Sequence, residues 1–103
     1  MLCAHTVRRL KPGTYEEFEE KFGPDPGNRP EGWVAFTMLR SVADPNEVVT
    51  FGYFDGTLEE LERNQAEQGY EAVRSSIDPL VEAVIANGVY EIVASLTAES
   101  ASA

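Results

Sequence analysis

Cysteine, histidine and tryptophan each occur once in this chain, as Cys3, His5 and Trp33. A lone cysteine cannot close an intrachain disulfide and has no second thiol at metal-ligand spacing. A lone histidine would need carboxylates to complete a metal site. No His/Asp/Glu cluster at ligand spacing appears, so no metal is expected. Basic residues are scarce as well: 8 Lys and Arg against 18 Asp and Glu leave a net charge of −10. A field of that sign repels phosphate backbones and anionic lipid, which argues against nucleic acid as a partner. Spread over helices and turns, the acids read most simply as a solubilising surface. No apolar run approaches the roughly 20 residues of a membrane span. Met1-Leu2-Cys3-Ala4 precedes His5, Arg8, Arg9 and Lys11, the reverse of a signal peptide's order. The expectation is a cytoplasmic protein with no membrane partner.

What is present suits one packed domain. The chain has 103 residues and a hydrophobic content of 43%, enough for a core and too high for disorder. We place the domain at 1–96 and expect Thr97 to Ala103, small and polar, to be a flexible tail. Residues 2–10 alternate as a strand, ended by Pro12-Gly13. Thr14 and Glu17 have capping-box spacing, and Tyr15, Phe18 and Phe22 follow at helical spacing until Gly23-Pro24. The segment 23–31 is an irregular Pro/Gly-rich loop, a composition that can edge a pocket.

Gly32 to Val42 reads as a strand with apolar groups on both faces. Simple alternation puts Trp33, Ala35 and Leu39 on one face and Val34, Phe36, Met38 and Val42 on the other. Asp44 to Glu47 is a turn, and Val48 to Phe54 returns as the second half of a hairpin. Thr57 and Glu60 repeat the capping-box spacing ahead of a helix that runs to about Gln68 and breaks at Gly69. Tyr70, Val73, Ile77, Leu80, Val81 and Val84 continue a helical pattern across Pro79, with Asn87-Gly88 as its stop. Val89 to Leu96 is the last strand, again apolar on both faces.

The order β-α-β-β-α-(α)-β is that of an α+β, ferredoxin-like antiparallel sheet with helices on one face. The other face, apolar too, needs a cover. A second copy of the chain is the simplest one, because a two-fold dimer sets the same patch against itself. The expected assembly is therefore a homodimer through the open sheet face.

The chain resembles the antibiotic biosynthesis monooxygenase-like family of the dimeric α/β barrel superfamily over about residues 2 to 96. The resemblance is carried by Thr6-Val7-Arg8-Arg9-Leu10 leading into Lys11-Pro12-Gly13-Thr14, by Trp33 to Ser41 with the turn at Asp44 to Glu47, by Phe51-Gly52-Tyr53-Phe54, by Leu58-Glu59-Glu60-Leu61 and by Val89 to Val93. It implies a dimer whose two sheets form a barrel, with a pocket in each subunit between sheet and helices. It also implies one of two chemistries: oxidation of polycyclic aromatics by O₂ without metal or flavin, or haem degradation. The haem-degrading members use a helical histidine. Here His5 lies on the first strand and no histidine occurs over 57–86, so haem does not carry over and no cofactor is expected. The functional expectation is a cofactor-independent monooxygenase acting on a small aromatic or polyketide-like compound. The alternative is a non-catalytic homodimer that binds a small ligand or serves a structural role.

The cofactor-free oxygenases set asparagine, tryptophan, arginine and tyrosine around an acidic phenol, for which this chain offers Asn64, Trp33, Arg40 and Tyr53. His5, as a side chain that titrates near neutrality, is a candidate general base. The plain alternative is a strand histidine bonded to a neighbour or to water. Arg40 is a candidate for a phenolate or carboxylate, or else a partner for one of the many acids. Asn64 shares a helix face with Leu61 and either points inward or lies on the surface. Trp33, Tyr53, Phe36 and Tyr70 are candidates for stacking on a flat aromatic ligand. Large aromatics of this kind also serve simply as core or interface. The catalytic candidates are thus His5, Asn64 and Arg40, and the substrate-binding ones Trp33, Tyr53, Phe36 and Tyr70.

Overall fold

A computed structural model describes residues 1–25, 27 and 30–96; the expected tail at 97–103 lies outside them. The chain folds as β1 (Leu2–Leu10), α1 (Tyr15–Phe22), β2 (Trp33–Arg40), β3 (Glu47–Phe54), α2 (Leu58–Glu67), α3 (Tyr70–Ile77), a 3₁₀ turn (Asp78–Leu80) and β4 (Val81–Glu91). The strands form one antiparallel sheet in the order β2-β3-β1-β4. This is the expected ferredoxin-like α+β arrangement, with the helices on one face. No helix among the described residues is long and apolar enough to cross a membrane.

The core lies where the helices meet the sheet. Leu10 of β1, Phe18 of α1, Val48 of β3, Ile77 of α3 and Leu80 form its centre, with Tyr15, Phe22, Met38 and Val81 packed around it. Each fully buried side chain of this size contributes about 1.5–3 kcal/mol. Strand alternation then assigns the faces. On β1, Thr6, Arg8 and Leu10 point to the helices; on β3, Val48, Thr50, Gly52 and Phe54 do.

Three local readings are corrected by tertiary structure. First, Thr14 precedes α1 but makes no side-chain cap. Its hydroxyl instead donates to the carbonyls of Lys11 (2.7 Å) and Leu80 (3.2 Å), tying the start of α1 to the 3₁₀ turn. Second, the helical pattern through Val84 ends earlier. Pro79 closes the helix in the 3₁₀ turn, and Val81 begins β4. The misleading period arises from register shifts in the β1–β4 pairing. Leu10 faces Val81 and Arg8 faces Val84, three residues apart where a regular strand would have two. Asn87-Gly88, expected to stop a helix, sits inside β4 opposite Thr6 and His5. The last strand accordingly runs 81–91 rather than 89–96, and stops where its partner does. Glu91 pairs with Leu2, and the Ile92 N–H reaches the Met1 carbonyl at 3.0 Å.

Third, β2 carries a bulge. Trp33 pairs with Phe54 and Ala35 with Tyr53, leaving Val34 without a partner. The extra residue moves Trp33 onto the face of Phe36 and Met38, toward the helices, and leaves Ala35, Thr37 and Leu39 on the open face.

The remaining punctuation forms as read. The Asp44–Glu47 turn closes through Glu47 N–H to the Asp44 carbonyl at 3.0 Å. Gly69 takes a left-handed φ of 69° between α2 and α3, a conformation that suits glycine. At α2 both halves of the capping box are made. Thr57 Oγ1 accepts from the Glu60 N–H at 3.1 Å, and a Glu60 carboxylate oxygen accepts from the Thr57 N–H at 3.0 Å. That second bond holds the Glu60 carboxyl below its usual pKa. A depressed carboxylate stabilises the fold above its unfolded pKa of about 4.3 and stops doing so as pH falls through the lower folded value. Thr57→Ala is expected to lower the unfolding free energy by about 1 kcal/mol in urea titrations. Glu60→Gln is expected to remove part of the stability lost on acidification below pH ~4.

Candidate functional site

Between the sheet and the helices lies a cleft of about 770 Å³, within the ordinary range of small-molecule sites. Trp33, Phe36 and Thr50 contribute from the sheet, and Phe22, Asn64 and Tyr70 from the helices. The Pro/Gly-rich loop borders it through Gly23, Pro24, Asp25 and Pro30.

Trp33 is the best-held side chain of the cleft. Its indole N–H donates to Asn64 Oδ1 at 2.8 Å, and Asn64 Nδ2 donates to the Glu31 carbonyl at 3.1 Å. An indole only donates and a carbonyl only accepts, so the two partners fix the amide's orientation. One N–H of Asn64 remains for a ligand. Phe54 meets the indole edge-on at 5.3 Å between ring centroids. The ring can lie flat on the sheet because residue 52 is glycine: a Cβ there would stand 2.7 Å from Trp33 Cζ3. Phe36 packs edge-on against Phe22 at 5.9 Å, extending the aromatic lining.

The structure thus brings together four of the residues singled out from sequence: Trp33, Phe36, Asn64 and Tyr70. The other three lie elsewhere. His5 is on the open face of the sheet, edge-on to Tyr90 at 6.0 Å, and its Nδ1 is buried without a hydrogen-bond partner among the described residues. Tyr53 is on the same open face, tilted against Phe51 at 5.9 Å. Arg40 faces the helices near the start of α1, with its guanidinium 3.9 Å over the Tyr15 ring and its Nε donating to the Pro45 carbonyl at 2.9 Å. Among the described residues no group of three or more His, Cys, Asp and Glu side chains could hold a metal ion.

Sequence reasoning passed over Arg8 and Thr50. Arg8 is 4% exposed, and its Nη1 donates to Thr50 Oγ1 at 3.0 Å. The signal was available in the alternation: Arg8 shares a strand face with Leu10, and Thr50 with Val48, so each is a polar residue in an apolar row. Gly52 was a second signal, since glycine inside a strand marks the close approach of another group. Gly52→Ala is expected to push the indole off Asn64. The measurement is the emission of Trp33, the only tryptophan, which should shift while the far-ultraviolet circular dichroism stays that of the folded protein.

No protein-family model and no curated protein matches the chain. Solved structures do. A protein from Deinococcus radiodurans assigned as an antibiotic biosynthesis monooxygenase superposes with a TM-score of 0.77 at 12% identity, covering 95% of this chain and 98% of that one. Rv0793 from Mycobacterium tuberculosis gives 0.76 at 13% identity, covering 93% and 98%. SnoaB, a cofactor-independent oxygenase from Streptomyces nogalater, gives 0.75 at 19% identity, covering 92% and 95%. At these identities the likeness concerns architecture: this chain has the fold of the antibiotic biosynthesis monooxygenase structures.

Proposed function

We propose that the protein is a cofactor-independent monooxygenase that takes a small aromatic or polyketide-like compound into the cleft between sheet and helices. The observation that carries this reading is the Trp33–Asn64 pair, an aromatic platform with a positioned amide beside it. Flat rings suit a lining of Trp33, Phe36 and Phe22. A substrate of this class brings its own electrons: oxidation of a ring CH₂ to C=O by O₂ places one oxygen on carbon and releases the other as water. The residues here would bind the ring, exclude water and stabilise the charge that develops when the substrate loses a proton. SnoaB, a cofactor-independent oxygenase, shares the fold. The test is O₂ uptake with a panel of anthrones and hydroxylated quinones. Turnover is expected, with Asn64→Ala lowering kcat by tenfold or more and His5→Ala leaving it nearly unchanged. Absence of uptake across the panel would reject the enzyme reading.

A second reading is favoured by two observations. The lone histidine lies on the opposite face, so it supplies no base to the cleft, and Asn64 already bonds Trp33 and Glu31. A non-catalytic protein that binds a small aromatic ligand would look the same. Ligand-induced quenching of Trp33 without O₂ uptake would establish it.

Either reading includes a homodimer through the open sheet face. Leu39 and Tyr90 are 48% and 54% exposed there, in company with Tyr53 and Phe51. Past the end of β4, Val93 and Leu96 are 87% and 98% exposed. Apolar area on this scale is covered in stable proteins, and a patch that spans the open face from β2 to β4 suits a two-fold partner. Light scattering after size exclusion is expected to give about twice the 11.3 kDa chain mass, and Phe51→Asp to shift it toward one. A monomeric wild type would reject the dimer.

A further inference from the structure

The cleft is backed by a buried cation that makes no ion pair among the described residues. The guanidinium of Arg8 lies 4.9 Å from the centroid of Phe22 and 5.8 Å from that of Phe18. Arg9, Lys21 and Arg74 form ion pairs, whereas Arg8 has none among the described residues. Ring faces and the hydroxyls of Thr50 and Tyr70 compensate a dehydrated guanidinium poorly compared with an anion. Burial accordingly lowers its pKa, and the adjacent Tyr70 hydroxyl raises it again, while Arg74 and Asp78 act with opposite signs.

Arg8 does not itself line the cleft; Thr50 does. The Thr50 hydroxyl has one proton to give. Because its oxygen accepts from Arg8, that proton remains free, and it reaches no protein acceptor among the described residues. Thr6, the neighbouring threonine of the cleft, differs: its hydroxyl donates to Asn87 Oδ1 at 3.1 Å. A hydroxyl that accepts from a cation becomes a stronger donor, and the burial of both Arg8 and Thr50 limits how far solvent screens this polarisation.

We propose that Thr50, backed by Arg8, is an oxyanion-recognition point of the cleft, which selects flat aromatic ligands bearing an ionised oxygen over their neutral ethers. Thr50 is the contact and Arg8 the positioning residue behind it. The inference rests on the reading of the cleft as an aromatic-ligand site and narrows the ligand class to one charge state. It requires no catalysis.

The probe is 4-nitro-1-naphthol, whose hydroxyl ionises in the weakly acidic range, with its methyl ether as neutral match. Binding is followed by quenching of Trp33 from pH 5 to pH 8. In the wild type the naphthol is expected to bind more tightly as it ionises, and at pH 8 to outbind the ether by roughly ten- to a hundredfold, the range of a hydrogen bond to a charged group. Thr50→Val, close in shape, is expected to flatten the pH profile and equalise the two ligands while still binding the ether. Thr50→Ser is expected to restore the preference. Arg8→Met is expected to weaken only the anion, and Arg8→Lys to recover part of the loss. Should Arg8→Met fail to fold, the threonine pair decides alone. Equal binding of naphthol and ether by the wild type would overturn the inference and leave the aromatic cleft standing. A preference that survives Thr50→Val would overturn it as well. No quenching by either compound would overturn the aromatic cleft itself, and the inference with it.

Discussion

The structure depends on the pairing of β1 along both its edges. Its residues meet β3 from Leu2 to Arg9 and β4 from Leu2 to Leu10, so the strand has no free backbone edge. With pairing satisfied on both sides, the direction of every β1 side chain is fixed by the pleat. Leu10 then enters the core, Arg8 meets Thr50 and Phe22, and Thr6 meets Asn87. His5 goes to the opposite face with no alternative. Two chemistries, a cleft on one side and an apolar surface on the other, are thereby separated by a single layer of backbone.

That separation orders the polar groups. On the helix side they are paired and directed: Trp33 to Asn64, Asn64 to Glu31, Arg8 to Thr50. Each has its orientation set by a partner that can play only one role. On the open side Arg9 pairs with Asp44 and Glu47, whereas the buried Nδ1 of His5 has no partner among the described residues. That nitrogen lies beside Tyr90 and opposite Phe51 and Gly88 in register.

The element order, the helix punctuation at Gly23, Gly69 and Thr57 and the hairpin turn at Asp44 were legible because local chemistry decides them. The capping box at Thr57 formed and the one at Thr14 did not, though the two share the same spacing. A tertiary acceptor, the Leu80 carbonyl, claimed Thr14. The reach of α3 was misread for a comparable reason: irregular pairing with β1 gave Val81 and Val84 a helical period inside a strand. Asn64, Trp33, Phe36 and Tyr70 could be named from residue type and spacing. That they converge while His5 and Tyr53 do not depended on strand faces. Arg8 and Thr50 were missed because a buried polar pair looks like any surface pair until its row is known.

The unpaired Val34 has a consequence for how the chain can vary. Between Trp33 and Phe36 it sets the parity of the strand. With it, both rings share one side of the sheet. A one-residue contraction at that point would leave the tryptophan opposite Phe54 and on the same side of the sheet, because it would then stand two residues from Phe36 in a regular strand. Closing the bulge with every residue retained, so that Val34 paired with Phe54, would instead send the tryptophan through the sheet to the other side. The cleft would lose its platform and the opposite surface would gain a large aromatic. The bulge, rather than any side chain, therefore decides which surface carries the indole.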